Sequence, residues 1–184
     1  MVKKLHPSNE TLPVELDALY ADFLKQFYDE GNDAAAAKIG ARLQELLAAE
    51  PELADSIRGE EIRSLIAELQ GGYPEAIRCR EAEIRKILEL HSLAVNTPSW
   101  EYVSRRYDFS DVSDRLDLLA ALYDRVGDAN RALATLRESQ QYCAAHHIRF
   151  DGRELLEDLA KEPNGVRGNG TAGRKGSRKA KPVR

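Results

Sequence analysis

Two cysteines, one tryptophan, one methionine and an aromatic content of 7% leave this chain with few of the side chains that usually carry redox or metal chemistry. Cys79 and Cys143 form no CxxC or Cys/His pattern, which points to free thiols in a reducing compartment. No run approaches the roughly 18 apolar residues that a membrane span requires. The start, MVKKLHPSNETLP, has two lysines with no apolar block behind them, so a secretory signal is not expected and the cytoplasm is the default compartment. Strict apolar–polar alternation is missing throughout, which argues against strands. Also missing are G-x-S-x-G, a P-loop, G-x-G-x-x-G and H-E-x-x-H. No catalytic residue, cofactor site or metal site is expected, and the chain reads as a non-enzyme.

Acidic residues are missing from one stretch. Residues 163–184 hold Arg167, Arg174, Lys175, Arg178, Lys179, Lys181 and Arg184, with no acid and five glycines. Of the 27 basic residues, 20 then remain in residues 1–162 against 31 acids, a charge of −11 facing a tail of +7. Such a tail cannot bury enough surface to offset its ordering entropy, and it is expected to be disordered. It is also the chain's candidate polyanion-binding segment, able to make weak, salt-sensitive contacts with nucleic acid. Residues 1–12 are expected to be a flexible N-terminus, and 13–162 a single helical domain.

What is abundant is helical periodicity: the chain is 42% hydrophobic and 32% charged. Leu16, Leu19, Tyr20, Phe23, Leu24 and Phe27 predict a helix over 14–30, ended by Gly31-Asn32. Asn32 is the expected N-cap of a helix over 33–49. Pro51 opens a short segment that Gly59 is expected to interrupt before a helix over 60–70. Further helices are expected over 73–95, 98–107 (capped by Thr97), 111–126, 129–146 and 151–161, the last with Asp151 and Glu154 at capping-box spacing. The fold class is all-α.

Three stretches align on their turns: FLKQFYDEGNDAAAAKIG, LIAELQGGYPEAIRCRE and LLAALYDRVGDANRALATL. Each has a bulky residue before the turn (Phe27, Leu65, Tyr123), a turn glycine (Gly31, Gly71, Gly127) and an alanine five residues later (Ala36, Ala76, Ala132). Glycine allows the left-handed conformation that ends a helix, and alanine lets the second helix approach the first. The pattern resembles the tetratricopeptide repeat (TPR) family, with Tyr73 and Ala76 matching especially well. The turn glycines are 40 and 56 residues apart against a family period of about 34, so the expected array is irregular. A compact bundle with the same hairpin chemistry is the competing architecture.

The resemblance implies an α-solenoid of antiparallel hairpins, a scaffold or adaptor offering a groove to a protein or peptide partner. The inner helix positions to inspect are Tyr20, Phe23, Phe27, Arg63, Tyr123 and Arg125. The stretch SWEYVSRRYDF adds Trp100, Arg105 and Arg106, because aromatics and Arg anchor interfaces; filling of core space by its aromatics is the competing role. The acidic body favours a partner with basic residues. The alternative function is a nucleic-acid- or ribosome-associated accessory protein tethered by its tail. His91 lies on the apolar stripe of 73–95 and is expected to be a partly buried, hydrogen-bonded histidine. Glu60-Glu61 and Glu154–Asp158 read as solvated faces with i,i+4 pairing.

Overall fold

A computed structural model describes residues 14–161; the expected flexible N-terminus at 1–12 and the basic tail at 163–184 lie outside the described residues. Within them the protein is all-helical, with no strand. The helices are α1 (Val14–Leu24), continued by a π-helical turn (Lys25–Asp29), α2 (Asp33–Ala49), α3 (Pro51–Ala54), α4 (Ile57–Leu69), α5 (Tyr73–Ala94), α6 (Trp100–Ser104), α7 (Phe109–Arg125), α8 (Ala129–His146) and α9 (Arg153–Lys161). By its contacts the chain divides into two compact units, one ending at Pro51 and the other beginning at Glu52.

The first unit is the α1–α2 hairpin. Leu16, Tyr20, Phe23 and Phe27 step along one face of α1 and its π turn, and all are buried. They meet Ala36, Gly40, Leu43 and Leu47 of α2, where two small residues bring the helices close. Asn32 caps α2, its side chain accepting from the Ala35 N–H at 3.2 Å.

In the second unit α4 packs on α5, α5 on α7, α7 on α8, and α8 on α9. The core follows from apolar spacing on the central helices: Ile84 and Ile87 of α5, Val112, Leu116, Leu119 and Tyr123 of α7, Leu136 of α8 and Leu159 of α9. Ser64 of α4 donates to the Ala76 carbonyl at 2.9 Å, joining α4 to α5.

The three turns follow the sequence pattern. Gly31, Gly71 and Gly127 have φ of 61°, 73° and 80°. After the glycine, the Gly72 N–H donates to the Ala67 carbonyl at 2.8 Å and the Asp128 N–H to the Tyr123 carbonyl at 2.9 Å. In the first turn the Asn32 N–H reaches back to Gln26 at 2.8 Å, one residue further, because the π turn has added a residue to α1. Ala36, Ala76 and Ala132 each have no exposed surface. Ala132→Leu should therefore overpack the α7–α8 contact and lower stability by about 1–3 kcal/mol in a denaturant titration. An unchanged midpoint would mean that the contact is slack.

Several local expectations are corrected. Gly59 does not interrupt a helix; it lies inside α4, whose N-cap is Ser56, accepting from the Gly59 N–H at 3.0 Å. Thr97 does not cap the next helix: its hydroxyl donates back to the Ala94 carbonyl at 2.6 Å, and α6 starts only at Trp100. The capping box sits at α7, where Asp108 accepts from the Asp111 N–H at 3.2 Å and Asp111 accepts from the Asp108 N–H at 2.7 Å. Asp151, the expected cap of α9, is instead paired with Arg149 at 2.7 Å.

Candidate interaction groove

α5 is long enough to serve two environments. Its residues Arg80, Glu83 and Ile87 turn into the core, while Glu81, Ile84, Arg85 and Leu88 lie along a neighbouring face. Beside that face, α7 supplies Leu116, Leu119 and Tyr123, and α8 supplies Thr135 and Glu138. These residues line an open groove of about 330 Å³. Because α7 packs on both α5 and α8, its buried apolar side chains form the floor, and α5 and α8 form the walls.

One end of the groove is tied by hydrogen bonding. The Tyr123 hydroxyl donates to Glu81 at 2.5 Å, and the Arg131 guanidinium lies 5.6 Å from the Tyr123 ring centroid. Burial and the Glu81 carboxylate push the Tyr123 phenol upward, so it remains the donor. Elsewhere the walls are open: Leu88 is 37% exposed. Among the described residues, neither Arg85 nor Glu138 makes an ion pair.

Beneath the groove, on the other face of α5, lies a buried ionic lattice. Glu83 has no exposed surface and sits between Arg80, at 2.5 Å, and Arg115 of α7. Arg115 also holds Asp111 at 3.0 Å and reaches Glu61 of α4 at 3.5 Å. Burial works against the Arg115 cation, but Glu83, Glu61 and Asp111 outweigh it and raise its pKa. Lys86 extends the lattice to Glu60 at 3.1 Å and Asp55 at 2.6 Å. Glu60 and Glu61 are thus not on solvated faces as expected; Glu60 is only 4% exposed.

A separate carboxylate environment lies where α7 meets α8 and the start of α9. Burial, with Asp114 and Asp151 nearby, raises the Asp117 carboxyl to about 6, while Ser139 and the backbone at Gly152 lower it only in part. An unfolded Asp titrates near 3.9. Between pH 4 and 6 the native state therefore holds a proton that the unfolded state has lost, so this group's contribution declines as pH rises through that window. Asp117 is partly exposed, which reduces the effect. Asp117→Asn should gain about 1 kcal/mol over wild type at pH 7 and nothing at pH 4, read from denaturant midpoints at both. Equal differences at the two pH values would remove the explanation.

The residues singled out from sequence are distributed as follows. Tyr20, Phe23 and Phe27 are core side chains of the first unit. Tyr123 lines the groove. Arg63 pairs with Glu60 and donates to the Ala54 carbonyl, both at 2.8 Å. Arg125 binds Glu68 at 2.5 Å and lies 5.9 Å from the Tyr73 ring centroid. Arg105 pairs with Glu101 at 2.6 Å, and Arg106 lies over the Tyr102 ring at 5.7 Å. Trp100 is half-buried against His91 and Phe109, with centroids 5.2 and 4.9 Å away. His91 is buried, and its Nε2 donates to the Tyr107 carbonyl at 2.7 Å. The sequence reading passed over Arg85, Glu138, Leu116 and Leu119. Leu88 was legible as apolar, but its displacement from Ile87 by one residue, about 100° around the helix, sets it in the groove instead of the core.

Among the described residues, no three His, Cys, Asp or Glu side chains gather as a metal site. No described helix is long and apolar enough to cross a membrane. No family model matches the chain, and neither does any curated protein or solved structure.

Proposed function

We propose that this protein is a non-enzymatic interaction module of the cytoplasm, an irregular TPR-like set of helical hairpins that holds a protein partner. Two consecutive hairpins, α4–α5 and α7–α8, support the reading. Their first helices are linked in the same chain order, Glu61 to Arg115 and Glu68 to Arg125, as parallel neighbours would be. The observation that carries it is the α5–α7–α8 groove, where Leu88 is exposed beside the buried apolar side chains of α7. The test is quantitative capture from cell extract by full-length protein and by Leu88→Asp. A partner retained by wild type and lost with the variant supports the reading, whereas identical capture profiles overturn it.

The charge division favours a second reading, a nucleic-acid- or ribosome-associated accessory protein tethered by the seven cations of 163–184. Its affinity for duplex DNA should fall with salt at a log–log slope of about −0.9 per phosphate contact. Truncation after residue 162 should abolish it. Equal binding by both proteins would dismiss the tail as a nucleic-acid arm.

A further inference from the structure

We infer that α9 is a strap latched by Asp117: with that carboxyl protonated the chain at 149–152 lies closed on the α7–α8 seam, and its ionisation beside Asp114 and Asp151 lets α9 lift away. Such a strap is independent of the groove and of what the groove holds. The latch begins as a buried polar seam. Ser113 of α7 has its hydroxyl 3.1 Å from that of Ser139 and 2.9 Å from the Cys143 sulfur, both on α8. The Cys143 thiol donates on to the Arg149 carbonyl at 3.6 Å, which ties the approach to α9 to the seam. Further along, the chain presses on Asp117. A Cβ at Gly152 would stand 2.8 Å from both Asp117 Oδ1 and a Leu136 methyl, so glycine is what lets the backbone lie this close. Asp117 Oδ1 is buried there without a hydrogen-bond partner. A neutral carboxyl tolerates such a place far better than a carboxylate does.

The charges facing Asp117 oppose its ionisation. Asp114 lies one turn back on α7, and Asp151 comes from the strap, where it already engages Arg149 at 2.7 Å. From α8 the facing group is the Ser139 hydroxyl. Arg115 and Asp111, with Glu83 of α5, stand on the opposite flank of α7, because residues 115 and 117 are about 200° apart around the helix. A carboxylate at Asp117 therefore adds a negative charge to the strap's landing site. α9 has little to resist this. It is nine residues long and packs on α8, with Leu159 buried and Leu155 and Leu156 only partly so. A released helix of that length does not persist in water, so lifting and melting coincide.

Hydrogen exchange on the full-length protein reads the strap directly. The opening equilibrium of the α9 amides, from rates corrected for the intrinsic pH dependence of exchange, is compared with that of the α7 core amides between pH 4 and 8. An open-state Asp titrates at about 3.9, and the closed Asp117 carboxyl is raised to about 6. Opening should therefore increase as pH rises from 4 to 6 and then level off. α9 is expected to open about fivefold more at pH 7 than at pH 4, while still opening more readily than α7 does. Asp117→Asn should abolish the rise and leave α9 as protected at pH 7 as wild type is at pH 4. Asp151→Asn, on an exposed side chain, should shrink the rise. α9 amides that exchange only when those of α7 do overturn the strap, and so does a rise that survives in Asp117→Asn. If Asp117→Asn fails to fold, Asp151→Asn decides: an undiminished rise overturns the latch.

Discussion

Glu83→Ala should lower the stability of the second unit by about 3–5 kcal/mol, because it leaves Arg80 and the Arg115 guanidinium facing each other in a site with almost no water. For a small domain each kcal/mol moves the thermal midpoint by several degrees, so circular dichroism should record a fall of well over 10 °C. The loss is one of imbalance more than of attraction. Desolvating three ions costs nearly what their mutual attraction returns, so removing a matched pair should be mild. Arg80→Met/Glu83→Leu takes out one cation and one anion and leaves Arg115 with Asp111 and Glu61. It should lie within about 1 kcal/mol of wild type. If the double variant is as unstable as Glu83→Ala, packing around Glu83 matters and charge balance does not.

Gly59→Ala gives the second large effect, and its sign separates two explanations. Helix propensity alone gains about 1 kcal/mol when an internal glycine becomes alanine. Here a Cβ at residue 59 would collide with the Leu53 carbonyl oxygen and stand 2.6 Å from that of Ala54. Both are backbone atoms of α3 and its exit, and cannot rotate aside. The α3–α4 junction must open, at a net cost of about 2–3 kcal/mol in denaturant unfolding. A variant more stable than wild type would show that the close approach of α3 is dispensable.

Gly59 also marks where sequence reading stops. A helix-breaking residue in a polar stretch looks like a boundary, and its use for close approach depends on α3 folding back over α4. The turn glycines were legible because their role is local: one residue takes positive φ and the chain reverses. The buried alanines five residues later were legible for the same reason. The lattice was not. Glu60, Glu83, Asp111 and Arg115 have the i,i+3 and i,i+4 neighbours of an ordinary wet helix face, and their burial is decided by partners up to 54 residues away. The π turn after Leu24 left no mark on the apolar spacing, which continues through Phe27. The groove was half visible: Tyr123 was singled out for its place before a turn, while Arg85 and Glu138 carry no local signal at all.

The lattice also bears on how the second unit comes apart. Arrays of helical hairpins are described by an intrinsic term for each hairpin and a coupling term for each interface, and a weak interface lets an end hairpin melt alone. Here the α4–α5 hairpin contributes Glu61 and Glu83 and the α7–α8 hairpin contributes Arg115, so separating them strands charges on both sides. That shifts weight from the hairpins to their coupling. The slowest-exchanging amides of α5 and α7 should report a single opening free energy, and the two hairpins should be lost together.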